Sequence, residues 1–174
     1  MRIALCGSHS TGKTTILDLL EWNKIKEQAR TLISELGNPR DMNDSEKANF
    51  QQILLTRQIR AEIMAGDDFI SDRSIYDIIA YSIDLQNIDS LTEQANNYLA
   101  KNPYDLTFYF PIEFDMENDG VRPEDEEFRK TIDKRIFALL PNPIFISGTI
   151  EQRKKKIEQE ISKYIKEKAL KTTK

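Results

Sequence analysis

The segment at residues 2–17, RIALCGSHSTGKTTIL, constrains the fold more than any other part of the chain. The apolar residues Ile3 to Cys6 predict a short buried strand, and the apolar residues from Ile16 onward predict a helix. Between them, Gly7-Ser8-His9-Ser10-Thr11-Gly12-Lys13-Thr14 matches the pattern G-x-x-x-x-G-K-[ST] at every fixed position. A strand, this loop and a helix, in that order, form the context in which the pattern binds phosphate.

The residue types of the loop indicate how a phosphate is held. Glycines let the backbone curl so that successive N–H groups point at one anion, and the positive end of the following helix faces the same place. Lys13 adds a charge for the β- and γ-phosphates, and the Thr14 hydroxyl can ligate Mg²⁺. We therefore predict a nucleotide-binding site made of Gly7, Ser10, Thr11, Gly12, Lys13, Thr14 and Thr15.

Length and composition exclude several classes of protein. A chain of 174 residues predicts a single domain over residues 1–174. Its net charge of -4 argues weakly against a protein that coats nucleic acid. One cysteine, Cys6, excludes an internal disulfide, and its place on the first strand predicts a buried core thiol. With no signal peptide or membrane span visible, we expect a cytoplasmic protein, or a host-cytoplasmic one if a phage encodes it.

Strand-like and helix-like segments alternate along the chain. The predicted strands cover residues 3–6, 23–27, 68–74, 104–110 and 142–148. The predicted helices cover residues 13–21, 28–36, 44–65, 75–85, 90–101, 124–140 and 150–168. This alternation predicts an α/β fold in which helices cover both faces of a parallel sheet. The polar, turn-rich segment at about 112–124 is expected to form a small lid, and the helical region at about 38–66 to lie on the acceptor side.

Charged residues follow the predicted strands at one rim of the sheet, where ligands bind in folds of this class. Asp72 and Arg73 end one strand, and Glu27 ends another. Asp72 can hold Mg²⁺ or accept the proton of an attacking hydroxyl, and Arg73 can orient an acceptor. Glu27 competes with Asp72 as general base. The alternatives are a structural ion pair for Asp72 and Arg73, and a solvated helix-start position for Glu27.

Two other classes of phosphate-loop protein fit this sequence poorly. An AAA+ or helicase motor has a hydrophobic strand that ends in Asp-Glu, whereas this strand ends in Asp72-Arg73-Ser74. A Ras-type GTPase reads guanine with Asn-Lys-x-Asp, and the chain has no such tetrapeptide. The Asp-Arg pair favours a kinase over a motor that activates water or a switch that binds guanine.

Further candidates lie in the second half of the chain. Arg122 follows Asp119-Gly120 in the predicted lid, where an arginine can offset charge on a transferring phosphoryl group. Arg129 comes seven residues later and is expected to share its face. Gly148 and Thr149 can pass over an adenine base or form a plain turn. The run Arg153 to Lys156 is interpreted as a solvated helix face.

These motifs occur in an order that resembles a known family. The order includes Glu27-Gln28-Ala29-Arg30, Phe50-Gln51, Asp72-Arg73-Ser74, Asp119-Gly120-Val121-Arg122 and Ile146-Ser147-Gly148. Together with the loop they resemble the small P-loop proteins grouped with the ribosylnicotinamide kinase domain of NadR, a set common in bacteria and phages. Deoxynucleoside and thymidylate kinases are more distant relatives. The resemblance implies a P-loop NTPase fold with a five-stranded parallel sheet, a lid that carries Arg122, and ATP with Mg²⁺.

The leading hypothesis is an ATP- and Mg²⁺-dependent kinase that acts on a nucleoside, a nucleotide or a related small molecule. Lys13, Asp72, Arg73, Arg122 and Glu27 are its candidate catalytic residues, and Thr14 and Asp72 its metal ligands. A second hypothesis is a phage-type kinase that phosphorylates a modified base in DNA. A third is a non-catalytic, regulatory ATP-binding module. Acceptor, preference for ATP or GTP, and oligomeric state stay open at this point.

Overall fold

The structure is a computed structural model that describes residues 1–113 and 126–172. Five parallel strands form one sheet in the order β2-β3-β1-β4-β5. The strands are β1 Arg2–Cys6, β2 Lys24–Ile25, β3 Phe69–Asp72, β4 Leu106–Tyr109 and β5 Ile144–Phe145. This arrangement confirms the predicted α/β fold with a five-stranded parallel sheet.

Seven helices alternate with the strands within the described ranges. They are α1 Lys13–Leu19, α2 Gln28–Leu36, α3 Asp44–Ala65, α4 Ile75–Ser82, α5 Ile88–Lys101, α6 Glu126–Leu139 and α7 Ile150–Thr172. A 3₁₀ turn at Pro39–Asp41 joins α2 to α3. None of these helices combines the length and the apolar character needed to cross a membrane.

Successive residues of the central strand β1 face opposite sides of the sheet. Ile3 and Leu5 pack into a cluster with α1 and α7. Ala4 and Cys6 pack on the other side against α4 and α6, and helices α2 to α5 add a further apolar cluster. Cys6 is fully buried, as predicted, and burial raises the pKa of its thiol well above the usual value.

The predicted and observed boundaries differ most at the two edge strands of the sheet. The second strand shrinks from residues 23–27 to Lys24–Ile25, where lysines flank its one buried residue. The last strand shrinks from residues 142–148 to Ile144–Phe145. Helix α3 begins and ends as predicted. The Asn43 side chain accepts from the Glu46 N–H and the Glu46 carboxylate from the Asn43 N–H, and Gly66 ends the helix. Most of the predicted lid, including Arg122, lies outside the described residues.

Candidate active site

The loop between β1 and α1 has a backbone conformation that requires glycine at two positions. Gly7 and Gly12 have φ values of +141° and +84°. A Cβ atom at Gly7 would lie 2.5 Å from the carbonyl oxygen of Phe110, so the neighbouring strand end excludes any larger residue there. The two glycines of the motif are therefore required by geometry.

Lys13 is the first residue of α1, and its side chain is buried against this loop. Its ammonium group donates to the carbonyl oxygen of Ser8 at 2.5 Å and to the Thr11 hydroxyl at 3.0 Å. Burial, together with the nearby charge of Arg73, lowers the pKa of Lys13 to about 8. A phosphate in the loop would offset this desolvation, because it places an anion beside the buried cation.

Asp72 and Thr14 form a donor set that fits Mg²⁺. The Thr14 hydroxyl donates to Oδ2 of Asp72 at 2.5 Å. Asp72 is only 1% exposed, and its Oδ1 has no hydrogen-bond partner among the described residues. Burial raises the pKa of this carboxyl group. A buried carboxylate oxygen without a partner, next to a hydroxyl at the end of the phosphate loop, is the kind of ligand that Mg²⁺ takes.

The structure brings Glu27 and Arg73 together beside the loop. Nε of Arg73 donates to Oε1 of Glu27 at 2.6 Å, and one Nη donates to the Gly7 carbonyl at 3.4 Å. Arg73 adopts a left-handed backbone with φ of +81°, which turns the chain sharply at the end of β3. Arg30 lies 3.7 Å from the other oxygen of Glu27. Two arginines thus hold this carboxylate at the rim of the sheet.

Asp77 is a residue of the site that the sequence reasoning missed. Its Oδ1 accepts from the Gly7 N–H at 3.1 Å, and its Oδ2 accepts from the Ser74 hydroxyl and N–H at 2.6 and 2.9 Å. It also lies 3.7 Å from a guanidinium nitrogen of Arg73. Ser74 and Asp77 form a capping box at the start of α4. The spacing Ser-x-x-Asp is the signal that could have revealed it.

Two buried arginines, from α6 and α7, donate hydrogen bonds to carbonyl oxygens of the loop. Arg129 donates to the carbonyls of His9 and Ser10 at 3.2 and 3.0 Å, so this candidate does contact the loop. Arg153 donates to the Thr11 carbonyl at 2.8 Å and is 2% exposed. The interpretation of Arg153 as part of a solvated face is wrong, because it shares the buried stripe of α7.

Gly148 and Thr149 form the turn between β5 and α7. Gly148 has φ of +94°, and its N–H donates to the Glu113 carboxylate at 3.1 Å. The Thr149 N–H donates to the side chain of Gln152 at 2.8 Å. The turn is exposed, so nothing covers its outer side among the described residues. Contact with an adenine base stays a prediction.

A cavity of about 510 Å³ opens beside the loop. Apolar side chains from α2, α3 and α4 form much of its wall, including Ile33, Phe50, Leu54 and Ile78. Glu27 and Arg73 line it as well, whereas Asp72 does not. Gln51 also lines it, and its buried amide oxygen has no hydrogen-bond partner among the described residues. The cavity therefore offers an apolar space edged by the Gln51 amide and the Glu27 carboxylate.

Comparison with known proteins assigns this chain to a family. A family model described as "AAA domain" matches residues 2–153, which is most of the chain. The chain belongs to this family. Among curated proteins, comparison of sequences finds no match.

Solved structures similar to this AAA-domain chain include NadR and a deoxyadenosine kinase. NadR in complex with NR has a TM-score of 0.68 and 18% identity, covering 84% of this chain and 45% of NadR. Deoxyadenosine kinase from M. mycoides with bound dCTP has a TM-score of 0.65 and 17% identity, covering 94% of this chain and 100% of the enzyme. The same kinase with dCMP and dCDP has a TM-score of 0.62. The chain therefore spans less than half of NadR but all of the deoxyadenosine kinase chain, and it shares their fold.

Proposed function

We propose that this protein is an ATP- and Mg²⁺-dependent phosphotransferase whose acceptor is a nucleoside, a nucleotide or a related small molecule. The observation that carries the proposal is the position of Glu27 and Arg73. They stand between a phosphate-binding loop and an apolar cavity, so a donor phosphate and an acceptor hydroxyl could meet beside them. The similarity in fold to deoxyadenosine kinase is consistent with this reaction.

On the donor side, the loop amides and Lys13 bind the β- and γ-phosphates. Thr14 and Asp72 would hold Mg²⁺, which would neutralise charge on the phosphate oxygens. Arg129 supports the loop from outside through its carbonyls. We assign the base side of the nucleotide to the turn at Gly148 and Thr149.

On the acceptor side, Glu27 is the better candidate for general base. It lines the cavity and Asp72 does not, which leaves Asp72 to the metal. The acceptor's hydroxyl oxygen attacks the γ-phosphorus, and the proton of that hydroxyl passes to the Glu27 carboxylate. The bond from that phosphorus to the β–γ bridging oxygen breaks, and ADP leaves. Arg73 orients Glu27 through their 2.6 Å hydrogen bond, and Arg122 is assigned to the charge on the transferring group.

The cavity wall supports an acceptor with a flat ring and a polar edge. Phe50 offers an aromatic surface, and the unpartnered amide oxygen of Gln51 can accept a hydrogen bond from an exocyclic amine. The charged residues of the wall have both signs, since the carboxylates of Glu27, Asp44, Asp77 and Asp84 stand beside the cations of Arg40, Lys47 and Arg73.

The test is a screen of nucleosides, deoxynucleotides and nicotinamide riboside with ATP or GTP, measured as release of ADP or GDP. Lys13→Ala is expected to abolish nucleotide consumption. Glu27→Gln is expected to lower transfer by about 10²–10⁴-fold while MgATP still binds, as loss of a general base does. Lys155→Ala, on the exposed face of α7, is the control.

Three outcomes would contradict the proposal. Equal transfer by Glu27→Gln and the unaltered protein would remove Glu27 from the chemistry. Nucleotide binding with no transfer to any small acceptor, but with phosphorylation of an oligonucleotide, would favour the DNA-kinase hypothesis. A stable protein partner and no acceptor at all would favour the regulatory module.

A further inference from the structure

The side chain of Arg153 joins three segments that are distant in sequence. Its Nη1 donates to the Thr11 carbonyl at 2.8 Å, and its Nε donates to the Gly148 carbonyl at 2.8 Å. Its Nη2 donates to the Glu113 carboxylate at 2.5 Å. The same oxygen of Glu113 accepts from the Gly148 N–H at 3.1 Å. One guanidinium thus connects the phosphate loop, the turn before α7 and the segment after β4.

These contacts restrict the part of the loop that would face a phosphate. The Thr11 carbonyl belongs to the same peptide group as the Gly12 N–H, so a hydrogen bond to one fixes the direction of the other. The Arg153 guanidinium also lies 3.3 Å from the position that a Cβ atom would take at Gly12. The orientation of this amide therefore depends on a residue of the last helix.

Packing alone gives little reason for an arginine at this position. The other buried residues of the stripe are Ile157 and Ile161, which fill the same layer with apolar side chains. Arg153 is buried, whereas the side chain of its partner Glu113 is 30% exposed. Burying such a charge is often no more stabilising than burying an apolar side chain of similar volume. The arrangement instead supplies directional hydrogen bonds, which fix relative positions.

We propose that Arg153 is a positioning residue for the nucleotide donor, acting with Glu113. It sets the phosphate loop and the Gly148 turn at a fixed separation, so that the phosphates and the base of one nucleotide are bound together. The proposal rests on the proposed function, because it requires the loop to bind a nucleotide.

The experiment compares Arg153→Met with Lys155→Met, which removes the same charge from the exposed face of the same helix. Calorimetry measures the dissociation constants of MgATP and of magnesium tripolyphosphate, a probe without a base. For Arg153→Met we expect both constants to rise by about 10-fold or more, as loss of charged hydrogen bonds implies. For Lys155→Met we expect changes below about twofold.

Glu113→Ala tests the base side separately, and it keeps the proposal testable if Arg153→Met fails to fold. It removes the acceptor of the Gly148 N–H but leaves the hydrogen bond from Arg153 to Thr11. We expect MgATP to bind about 3- to 10-fold more weakly, on the scale of one hydrogen bond. Tripolyphosphate is expected to bind as before. A defect that was only structural would lower the melting temperature without separating the two ligands.

The outcomes distinguish the two proposals. If the unaltered protein binds no MgATP, the proposed function fails and the inference fails with it. If the unaltered protein binds MgATP and folded Arg153→Met binds it equally well, the inference alone is overturned. Equal weakening of both ligands by Glu113→Ala would also contradict it.

Discussion

Two buried carboxylates, Glu62 and Asp72, lie at opposite ends of the sheet and differ in the number of hydrogen bonds that they accept. Glu62, near the end of α3, is fully buried and accepts four hydrogen bonds, from Arg2, Gln58, Tyr98 and Tyr104. Asp72, at the end of β3, accepts one from Thr14, and its second oxygen has no partner among the described residues. Burial raises the pKa of both carboxyl groups.

The contrast separates a structural group from a binding group. A buried polar group that is fully hydrogen-bonded fixes the packing around it and has nothing left for a ligand. A buried carboxylate with a free oxygen destabilises the ligand-free protein until another group completes it. We therefore expect substitution of Glu62 to affect stability, and substitution of Asp72 to affect chemistry.

The largest effect is expected from Asp72→Ala. Loss of the metal ligand should slow phosphoryl transfer by about 10³-fold, or about 4 kcal/mol of transition-state stabilisation. MgATP should still bind within several-fold of the unaltered protein, because Lys13 and the loop amides remain. The melting temperature should stay the same or rise, since a half-satisfied carboxylate is removed. Single-turnover ADP formation and thermal unfolding measure the two quantities.

If Asp72→Ala transferred the phosphoryl group at the original rate, Asp72 would not be a metal ligand in the reaction. A large fall in melting temperature would contradict the comparison instead, because it would make Asp72 a structural group like Glu62. Serial addition of Mn²⁺ serves as a control. Partial recovery of the rate at high metal concentration is expected only if a metal ligand has been lost.

Glu62→Ala should have the opposite profile. Removing one partner of a buried ion pair leaves Arg2 without its carboxylate, which should lower the free energy of unfolding by about 3–5 kcal/mol. The affinity for MgATP should change by less than about twofold, because Glu62 lies at the amino ends of the strands. Urea unfolding and calorimetry give the two values. Weaker nucleotide binding without loss of stability would reverse the assignment.

The phosphate loop could be predicted from the sequence because its chemistry is local. The strand, the glycines, Lys13 and Thr14 all fall within residues 2–17, so spacing alone fixes their relations. The carboxylate at Glu27 and the pair Asp72-Arg73 followed from the rule that strand ends share a rim. Their mutual contact did not, because it depends on the left-handed turn at Arg73.

Roles that depend on contacts across long sequence separations are harder to predict. The charge pattern groups Arg153 with three lysines as a charged run, although Arg153 stands four residues before Ile157 and eight before Ile161 on one helical face. That spacing was a usable signal. The cavity had no such signal, since its wall is assembled from α2, α3, α4 and α6 and its shape depends on how they pack.

The smallest effect concerns the pH dependence of stability. Because burial raises the pKa of Glu62 above its ordinary 4.5, the folded protein binds this proton more tightly than the unfolded chain does. Stability therefore falls as pH rises from about 4.5 through the folded pKa, by about 1.4 kcal/mol for each unit of the shift. Glu62→Gln lacks this titration, so its unfolding free energy should not fall in this way. Relative to the unaltered protein, the variant should therefore become more stable as pH rises over the same window.

Urea unfolding of both proteins between pH 4.5 and 7 isolates the contribution of Glu62, because every other titrating group is common to the two. The hydrogen bonds from Arg2 and the tyrosines lower the pKa of Glu62, whereas burial raises it. The direction in which the stability difference between the two proteins changes with pH therefore shows which effect dominates. A gap that widens in favour of the unaltered protein as pH rises would mean that the four donors outweigh desolvation. In that case Glu62 would be a net stabilising anion, and the contrast with Asp72 would be greater than burial alone implies.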